Sequence, residues 1–360
     1  MVPVLAVPGL FRSALRWRRG DPRSASSWRR RRLLRPGPLF LLAGVIGSLP
    51  NPSTAHAAAV ALGLHSGSDN SITQYEAFGA WLGRKVTHRV VFADMSSWST
   101  MAAPWFLNMS QKWVQSDPAR VEVITMPLLP TGEAGNFAAI IRGDHDATFT
   151  TFGQNIKARN MAARVIVRLG WEGNGDWYPW SYAADPAGYR DSFRRAAQLI
   201  RQQAPGIRFD WCVSCGASHR GGPALWTDGY PGDDVVDIVS MDVYDQWWSS
   251  WTAMRDGEAG LGEFRNFAVL HQKPEAYPEW SCSTDVSSHG GGDNPAFVQN
   301  LAAWFAARPG QVVYHGYWNT SNDGPNAAIY GTDPILVPNA AAAYQRIFTF
   351  TPAPAQLIAR

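Results

Sequence analysis

Several features that define other classes of protein are scarce in this sequence or absent from it. The apolar run at residues 38–49 (PLFLLAGVIGSL) is shorter than the roughly 20 residues of a membrane-spanning helix, so we expect no permanent membrane anchor. The sequence offers neither a phosphate-binding loop nor a clear cluster of metal ligands, and we expect no cofactor. No internal repeat or long low-complexity linker interrupts residues 58–360, which favours a single domain.

Cysteine is scarce: the chain has Cys212, Cys215 and Cys282. In an oxidising compartment, one disulfide with one cysteine left over is the simplest outcome. Cys212 and Cys215 lie three apart at a predicted strand end, where they point in opposite directions, and this favours a Cys215–Cys282 pair. A zinc site built from Cys212, Cys215 and His219 is an alternative, but it lacks a second pair of ligands. A thioredoxin-like redox role lacks the helix that follows such a motif.

Basic residues are concentrated at the start of the chain. Residues 1–35 hold ten arginines, no lysine and one acidic residue, and after them come the apolar run and an A-x-A cleavage site before Ala58. This order predicts a signal peptide over residues 1–57, a folded domain over 58–360 and a secreted or periplasmic protein. The arginines at 29–32 resemble a twin-arginine signal. The length of the charged region also allows a start site further downstream. A nucleic-acid-binding arm would explain the arginines but not the cleavage site.

The chain that follows the predicted signal is mildly acidic and rich in tryptophan. It keeps 22 of the 32 basic and 28 of the 29 acidic residues, a net charge near −6. No basic patch remains, so we expect no nucleic acid as a partner. The same part of the chain holds 15 of the 17 tryptophans. A core does not readily accommodate so many, and they predict aromatic-lined clefts on a monomeric protein.

Strand-like and helix-like segments alternate from residue 58 onward. The predicted strands cover residues 58–65, 88–93, 121–126, 164–169, 207–213, 235–243, 276–280 and 312–318. Helices are predicted at 74–84, 144–160 and 185–203. The fourth strand is apolar without alternation, as in a parallel sheet that is covered on both faces. Eight strands with helices between them predict an α/β protein, a single (β/α)8 TIM barrel, rather than an open sheet.

Two glutamates follow predicted strands at matching positions. Glu172 comes just past the fourth strand, among several aromatic residues, and Glu279 lies at the end of the seventh. The strand ends of a barrel share one mouth, so the two carboxyl groups can face each other. One protonated and one ionised carboxyl group are the equipment of glycoside hydrolysis, and aromatic rings stack on sugars. The alternatives are an ordinary loop glutamate at Glu172 and a structural ion pair at Glu279.

Three motifs carry a resemblance to a known family. They are residues 168–180 (RLGWEGNGDWYPW), residues 230–245 (YPGDDVVDIVSMDVYD) and the Pro-Glu-Trp around Glu279. In order and spacing, they resemble glycoside hydrolase family 26, a β-mannanase family within the clan of retaining (β/α)8 enzymes. The resemblance extends from about residue 144 to residue 319, while the first three strands match only in general layout.

The resemblance implies a role for several side chains. It makes Glu172 the acid/base, Glu279 the nucleophile and Tyr244 a hydrogen-bond donor to the nucleophile. The other implied roles are Trp318 as the ring beneath the sugar at the cleavage point, Trp177 as a wall of the adjoining subsite, and Arg168 and Asp242 as supporting groups in the barrel mouth. A structural pair with an arginine is equally compatible with Asp242, and core packing is the alternative for Trp318. Three further tryptophans follow strand six, namely Trp247, Trp248 and Trp251. They are either subsite platforms or part of the packing of a lid.

Trp171 departs from the family pattern. Where members usually carry a histidine immediately before the acid/base, this chain has an indole, which has one donor and no acceptor. The alternative is that Trp171 packs away from the cleft and has no part in selectivity. The resemblance therefore implies a secreted retaining hydrolase of a β-linked polysaccharide that is mannanase-like but poor on mannan, with another β-glycan or an exopolysaccharide preferred. The alternative from a different class is a carbohydrate-binding barrel without catalysis.

Overall fold

Eight parallel strands form a closed barrel in the computed structural model of the protein, which describes residues 59–67, 71–216, 224–322 and 324–349. The strands are β1 (Ala61–His65), β2 (His88–Phe92), β3 (Val121–Met126), β4 (Val165–Leu169), β5 (Arg208–Ser214), β6 (Ile238–Tyr244), β7 (Glu275–Ser281) and β8 (Val312–Trp318). They pair in chain order, and β8 pairs with β1. The predicted (β/α)8 barrel is confirmed, with each described strand end within three residues of its predicted position.

Helices cover the outside of the barrel. In the described residues they are Ile72–Leu82, Trp98–Ala102, Leu107–Ser116, Phe137–Arg142, Asp146–Ala158, Pro186–Gln203, Trp251–Asp256, Leu261–Leu270, Pro295–Ala306 and Pro338–Phe348. The predicted helix at 185–203 begins where Asp185 accepts a hydrogen bond from the backbone of Gly188. The helix predicted at 74–84 ends at Leu82, because Gly83 adopts a left-handed φ of 71° that closes the helix.

The barrel interior changes from apolar to charged toward its mouth. An apolar layer contains Val90, Val123, Ile166, Ile238, Ala276 and Tyr314. Arg168 lies two residues beyond Ile166 on β4 and therefore points to the same side of the strand. It contacts Asp242 of β6 and Glu279 of β7, which are not neighbours of β4 in the sheet, so these contacts cross the interior. The strand alternation thus carries charged groups into the mouth above the apolar layer.

All three cysteines are free thiols, and the predicted Cys215–Cys282 disulfide is wrong. Cys215 follows β5 and Cys282 follows β7, whereas β6 lies between these strands and pairs with both. Two strand spacings of about 4.8 Å exceed the Cα separation that a disulfide spans, about 4.4–6.8 Å. Burial also raises the pKa of each of these two thiols to about 12, which disfavours the reactive thiolate.

The predicted signal over residues 1–57 lies outside the described residues, and export stays a prediction. The described residues all belong to one compact unit. None of the helices within the described ranges is long and apolar enough to cross a bilayer.

Candidate active site

Glu172 and Glu279 both lie at the mouth of the barrel and are almost fully buried. Glu172 follows the end of β4 by three residues, and 8% of its surface is exposed. Glu279 lies within β7, and 5% of its surface is exposed. The charge of Glu279 acts on the carboxyl group of Glu172. The structure therefore brings together the two carboxyl groups that the sequence placed at matching strand ends.

The backbone at Glu172 is held in an uncommon conformation. Gly170 has a φ of 56° and Glu172 a φ of 50°, in the left-handed region that a glutamate rarely adopts. The backbone N–H of Glu172 donates to the carbonyl of Cys212 on β5 at 2.9 Å. Asn174 exchanges two hydrogen bonds with the backbone of Ser214, of 2.8 and 2.9 Å. These bonds fasten the β4 loop to β5, and they keep the strained glutamate aimed into the mouth.

The carboxyl group of Glu172 favours its protonated form. Burial, followed by the charge of Glu279, raises the pKa of Glu172 to about 7. Trp177 opposes this shift, because its Nε1 donates to Oε2 of Glu172 at 2.9 Å and so stabilises the anion. A carboxyl group with this pKa can give and take a proton near neutral pH.

Glu279 lies among donors that stabilise and orient an anion. Arg168 Nη1 donates to Oε1 of Glu279 at 2.7 Å, and the hydroxyl of Tyr244 donates to Oε2, also at 2.7 Å. Burial, followed by the charge of Glu279, raises the pKa of Tyr244 well above its ordinary value, so the phenol keeps its proton for this bond. The surroundings of Glu279 thus differ sharply from those of Glu172.

Arg168 links the carboxylates of Asp242 and Glu279. Its Nη2 donates to Oδ2 of Asp242 at 2.5 Å and to Sγ of Cys212 at 3.1 Å. Burial alone would lower the pKa of Arg168, but the charges of Asp242 and Glu279 help to outweigh burial and raise that pKa well above its ordinary value. Two bonds from one planar guanidinium hold its two partners in a fixed relative orientation.

An irregularity in β7 determines the direction of Glu279. The pairing of β6 with β7 shifts register between Ser240 and Val243, which interrupts the ladder beside Glu279. The backbone N–H of Glu279 donates instead to Oδ1 of Asp242 at 3.1 Å. Gly316 of β8 permits this path, because a Cβ there would lie 2.1 Å from the carbonyl oxygen of Pro278. Such irregularities commonly re-aim side chains next to active sites.

Aromatic rings form a wall beside the two carboxyl groups. The ring of Phe92, the last residue of β2, contacts Trp171 at 5.6 Å and Trp318 at 5.5 Å between centroids. Trp318, the last residue of β8, stacks on His65 at 4.0 Å and meets Tyr244 edge-on at 6.4 Å. Trp318 is almost fully buried, with 8% of its surface exposed, and its role beneath a sugar stays a prediction.

Trp171 belongs to the same aromatic wall. Its ring packs against Tyr178 at 4.6 Å and Trp180 at 4.5 Å, and 4% of its surface is exposed. Its carbonyl accepts a 2.7 Å hydrogen bond from Nε1 of Trp180. The indole of Trp171 is therefore fixed next to the acid/base candidate through packing on three rings, those of Phe92, Tyr178 and Trp180.

Two members of this wall, Phe92 and His65, were not predicted from the sequence. Both are the last residues of their strands, and the rule that strand ends line the mouth of a barrel would have identified them. Trp177 was predicted only as a wall of a subsite, whereas the structure shows that it also donates a hydrogen bond to Glu172. In the described part of the chain, no three His, Cys, Asp or Glu side chains are placed to hold a metal. His219 of the zinc alternative lies outside the described residues.

A closed (β/α)8 barrel that holds two carboxyl groups and a wall of aromatic rings at its mouth has the architecture of a glycoside hydrolase. Comparison with family models agrees. Residues 92–271 match glycosyl hydrolase family 26, a range that includes Glu172 and Tyr244 and ends before Glu279. The chain belongs to glycosyl hydrolase family 26.

A curated relative is similar over part of the chain. Endoglucanase H of Acetivibrio thermocellus is 27% identical over 190 residues, which are 48% of this chain and 21% of the relative. The chain thus spans about a fifth of the length of that relative.

Solved structures share the fold. A modular endo-β-1,4-mannanase of Cellulomonas fimi matches with a TM-score of 0.57 and 17% identity over 83% of this chain and 75% of that chain. The catalytic domain of the family 26 endo-β-1,4-mannanase of Bacillus sp. JAMB-750 matches with a TM-score of 0.56 and 16% identity over 82% of this chain and 90% of that chain. At these identities the matches concern the fold alone.

Proposed function

We propose that the protein is a secreted retaining hydrolase of a β-linked polysaccharide, with Glu279 as nucleophile and Glu172 as acid/base. The observation that carries the proposal is the contrast between the two glutamates. Glu279 accepts bonds from Arg168 and Tyr244, which favour an anion, while burial raises the pKa of Glu172 to about 7. Double displacement at a glycosidic bond requires one carboxyl group that gives up a proton and one carboxylate that attacks.

In the first step, a carboxylate oxygen of Glu279 forms a bond to the anomeric carbon. The bond from that carbon to the leaving oxygen breaks, and Glu172 transfers its proton to the leaving oxygen. Tyr244 and Arg168 hold the attacking carboxylate in position, so less entropy is lost as the bond forms. The product of this step is a glycosyl ester on Glu279 and a Glu172 carboxylate.

In the second step, the Glu172 carboxylate takes a proton from a water molecule. The water oxygen forms a bond to the anomeric carbon, and the ester bond to Glu279 breaks. Glu172 is protonated again and Glu279 is again an anion. A pKa near neutrality suits Glu172 to both directions of proton transfer.

The polysaccharide is expected to be a β-linked glycan other than mannan. The curated relative is an endoglucanase, which makes a β-glucan one candidate, although the structural relatives include endo-β-1,4-mannanases. Trp171 favours a non-mannan substrate, because an indole offers one hydrogen-bond donor and no acceptor where a histidine would present two nitrogens. An exopolysaccharide with apolar sugar faces fits the same wall.

A panel of β-mannans, β-glucans, xylans and bacterial exopolysaccharides tests the reaction through the release of reducing ends. We expect turnover on at least one β-glycan, and a loss of about 10²–10⁴-fold in Glu172→Ala, the usual contribution of a general acid. Glu279→Ala should lose at least as much. Glu76→Ala, in which an exposed glutamate of an outer helix is removed, should keep full activity. Undiminished turnover in either active-site variant would overturn the assigned roles.

Export is tested on the full chain in a bacterial host. N-terminal sequencing of the exported protein should begin at Ala58, because the A-x-A site precedes it. A protein that stays in the cytoplasm at full length contradicts the secreted location and leaves the proposed chemistry untouched.

A further inference from the structure

Trp247 is held at the barrel mouth with an exposed ring. It lies three residues past Tyr244, the end of β6, and 54% of its surface is exposed. Its φ of 66° lies in the left-handed region, which is a genuine outlier for a bulky residue. Neither feature helps folding, since the exposed indole buries little apolar surface and the backbone is strained. Such strain at a surface position points to a function.

The adjacent tryptophan provides a contrast. Trp248 is half-buried, and its ring lies so close to Gly216 and Gly257 that an added Cβ at these glycines would come within 2.4 and 2.7 Å of it. Trp248 therefore fastens the β6 loop to its surroundings. Lid packing explains Trp248 but not Trp247.

A second loop supports Trp247 from one side. The backbone N–H of Trp247 donates to the carbonyl of Ser288 in the β7 loop at 3.1 Å. The ring of His289, an exposed residue with a φ of 55°, lies 4.9 Å from that of Trp247. The loop that follows Tyr244 at the end of β6 and the loop that follows β7 thus meet at this pair of rings.

The two loops are tied together beneath the rings. Gly291 donates from its backbone to the carbonyl of Asp245 at 2.9 Å, and Asn294 Nδ2 donates to Oδ2 of Asp245, also at 2.9 Å. A Cβ at Gly291 would lie 2.2 Å from the same carboxylate, so a larger residue there would displace the Asp245 side chain from Asn294. These hydrogen bonds hold the two loops that carry Trp247 and His289 in place, which lowers the entropy cost of ligand binding.

We propose that Trp247, supported by His289, is a platform that stacks on a sugar ring of the substrate away from the cleavage point. The proposal rests on the proposed function. Three residues of extended chain span at most about 11 Å, so the platform lies within reach of an oligosaccharide that extends from the reacting bond beside Tyr244. The flat apolar face of an indole matches the C–H face of a β-linked sugar.

The test measures kcat/KM of the full-length protein on β-linked oligosaccharides of increasing length from the preferred glycan. Trp247→Ala should lose about ten-fold on the longer oligosaccharides, the size of one well-packed aromatic contact, and leave the shortest cleaved substrate unchanged. An equal loss at every length, or no loss at any length, overturns the platform while wild-type turnover still supports the proposed function.

Trp105→Ala is the matched control. This tryptophan is also exposed, at 64%, but it follows Ala102, whose carbonyl accepts a bond from Asn155 near the end of helix Asp146–Ala158. That helix end leads into the start of β4, so Trp105 lies toward the opposite end of the barrel from the mouth. Its removal should change kcat/KM at no length. A length-dependent loss in Trp105→Ala equal to that of Trp247→Ala contradicts a local platform.

Two further measurements keep the proposal decisive. Trp247→Gly removes the ring and relieves the positive φ, so its Tm should be unchanged or higher while the length dependence is lost. A large fall in Tm would instead assign Trp247 to stability.

If the wild type hydrolyses no glycan, affinity electrophoresis with soluble β-glycans replaces kinetics. The proposed function then fails, and the platform stands only if wild type is retarded more than Trp247→Ala.

Discussion

Trp177 donates a 2.9 Å hydrogen bond from its indole nitrogen to the carboxyl group of Glu172. Burial and the charge of Glu279 raise the pKa of Glu172 to about 7, and this bond acts in the opposite direction. Opposing effects thus hold the pKa of Glu172 near 7, and a single substitution at Trp177 removes the one that lowers it.

Trp177→Phe should move the alkaline limb of the kcat/KM profile upward by about one to two pH units. The first step needs a protonated Glu172, so activity falls as pH rises through its pKa, near 7 in the wild type. Loss of a donor to the anion raises that pKa. A hydrogen bond to a charged group contributes about 1.5–3 kcal/mol, and a shift of one pKa unit corresponds to about 1.4 kcal/mol. A loss of activity with an unmoved limb would assign Trp177 to sugar binding alone. Trp105→Phe serves as the control.

Glu172→Gln should stabilise the protein at pH 7 and above. The pKa of Glu172 is raised on folding from 4.5 to about 7, so the unfolded chain binds fewer protons between these values and stability falls as pH rises. The penalty amounts to as much as about 3 kcal/mol above pH 7 and vanishes below about pH 4. Thermal unfolding of wild type and variant at pH 4 and pH 8 measures the difference. Equal Tm values at pH 8 would show that the carboxyl group titrates normally.

Tyr244→Phe should lower kcat by about ten- to a hundred-fold. The variant removes the 2.7 Å bond to Oε2 of Glu279, and a buried hydrogen bond to a charged group contributes about 1.5–3 kcal/mol. Tyr230→Phe is a matched control, because that hydroxyl also donates to a carboxylate at 2.7 Å, on Asp233 outside the mouth. A similar fall in both variants would point to stability rather than to the nucleophile.

Trp171→His should raise activity on mannan relative to the preferred glycan by about ten- to a hundred-fold. An imidazole supplies the donor and acceptor that the indole lacks, and one hydrogen bond to a sugar contributes about 1–3 kcal/mol. Trp171→Phe, which adds neither group, controls for the loss of packing against Tyr178 and Trp180. If the wild type already cuts mannan best and the histidine variant gains nothing, Trp171 has no part in selectivity.

The barrel was predictable because its signals are local. Strands such as Val165–Leu169 are buried on both faces, and the strand ends then place Glu172 and Glu279 at one mouth. The disulfide was mispredicted because it was judged from the directions of Cys212 and Cys215 on one strand. The order of strands in the predicted barrel already implied that β6 separates Cys215 from Cys282.

The parts of the site that were missed depend on contacts between distant segments. The partners of Phe92, namely Trp171 and Trp318, come from other strand ends, and no local pattern in β2 marks the contact. The left-handed backbone at Glu172 and Trp247 is likewise imposed by tertiary structure, since neither residue type favours it.

Covalent trapping tests the central claim most directly. An activated 2-deoxy-2-fluoro-β-glycoside of the preferred sugar slows both steps, and its good leaving group lets the ester on the enzyme accumulate. Mass spectrometry of the intact protein should show one added fluoroglycosyl unit, and peptide mapping should place it on Glu279. Label on another residue, or turnover with inversion and no adduct, would contradict the account.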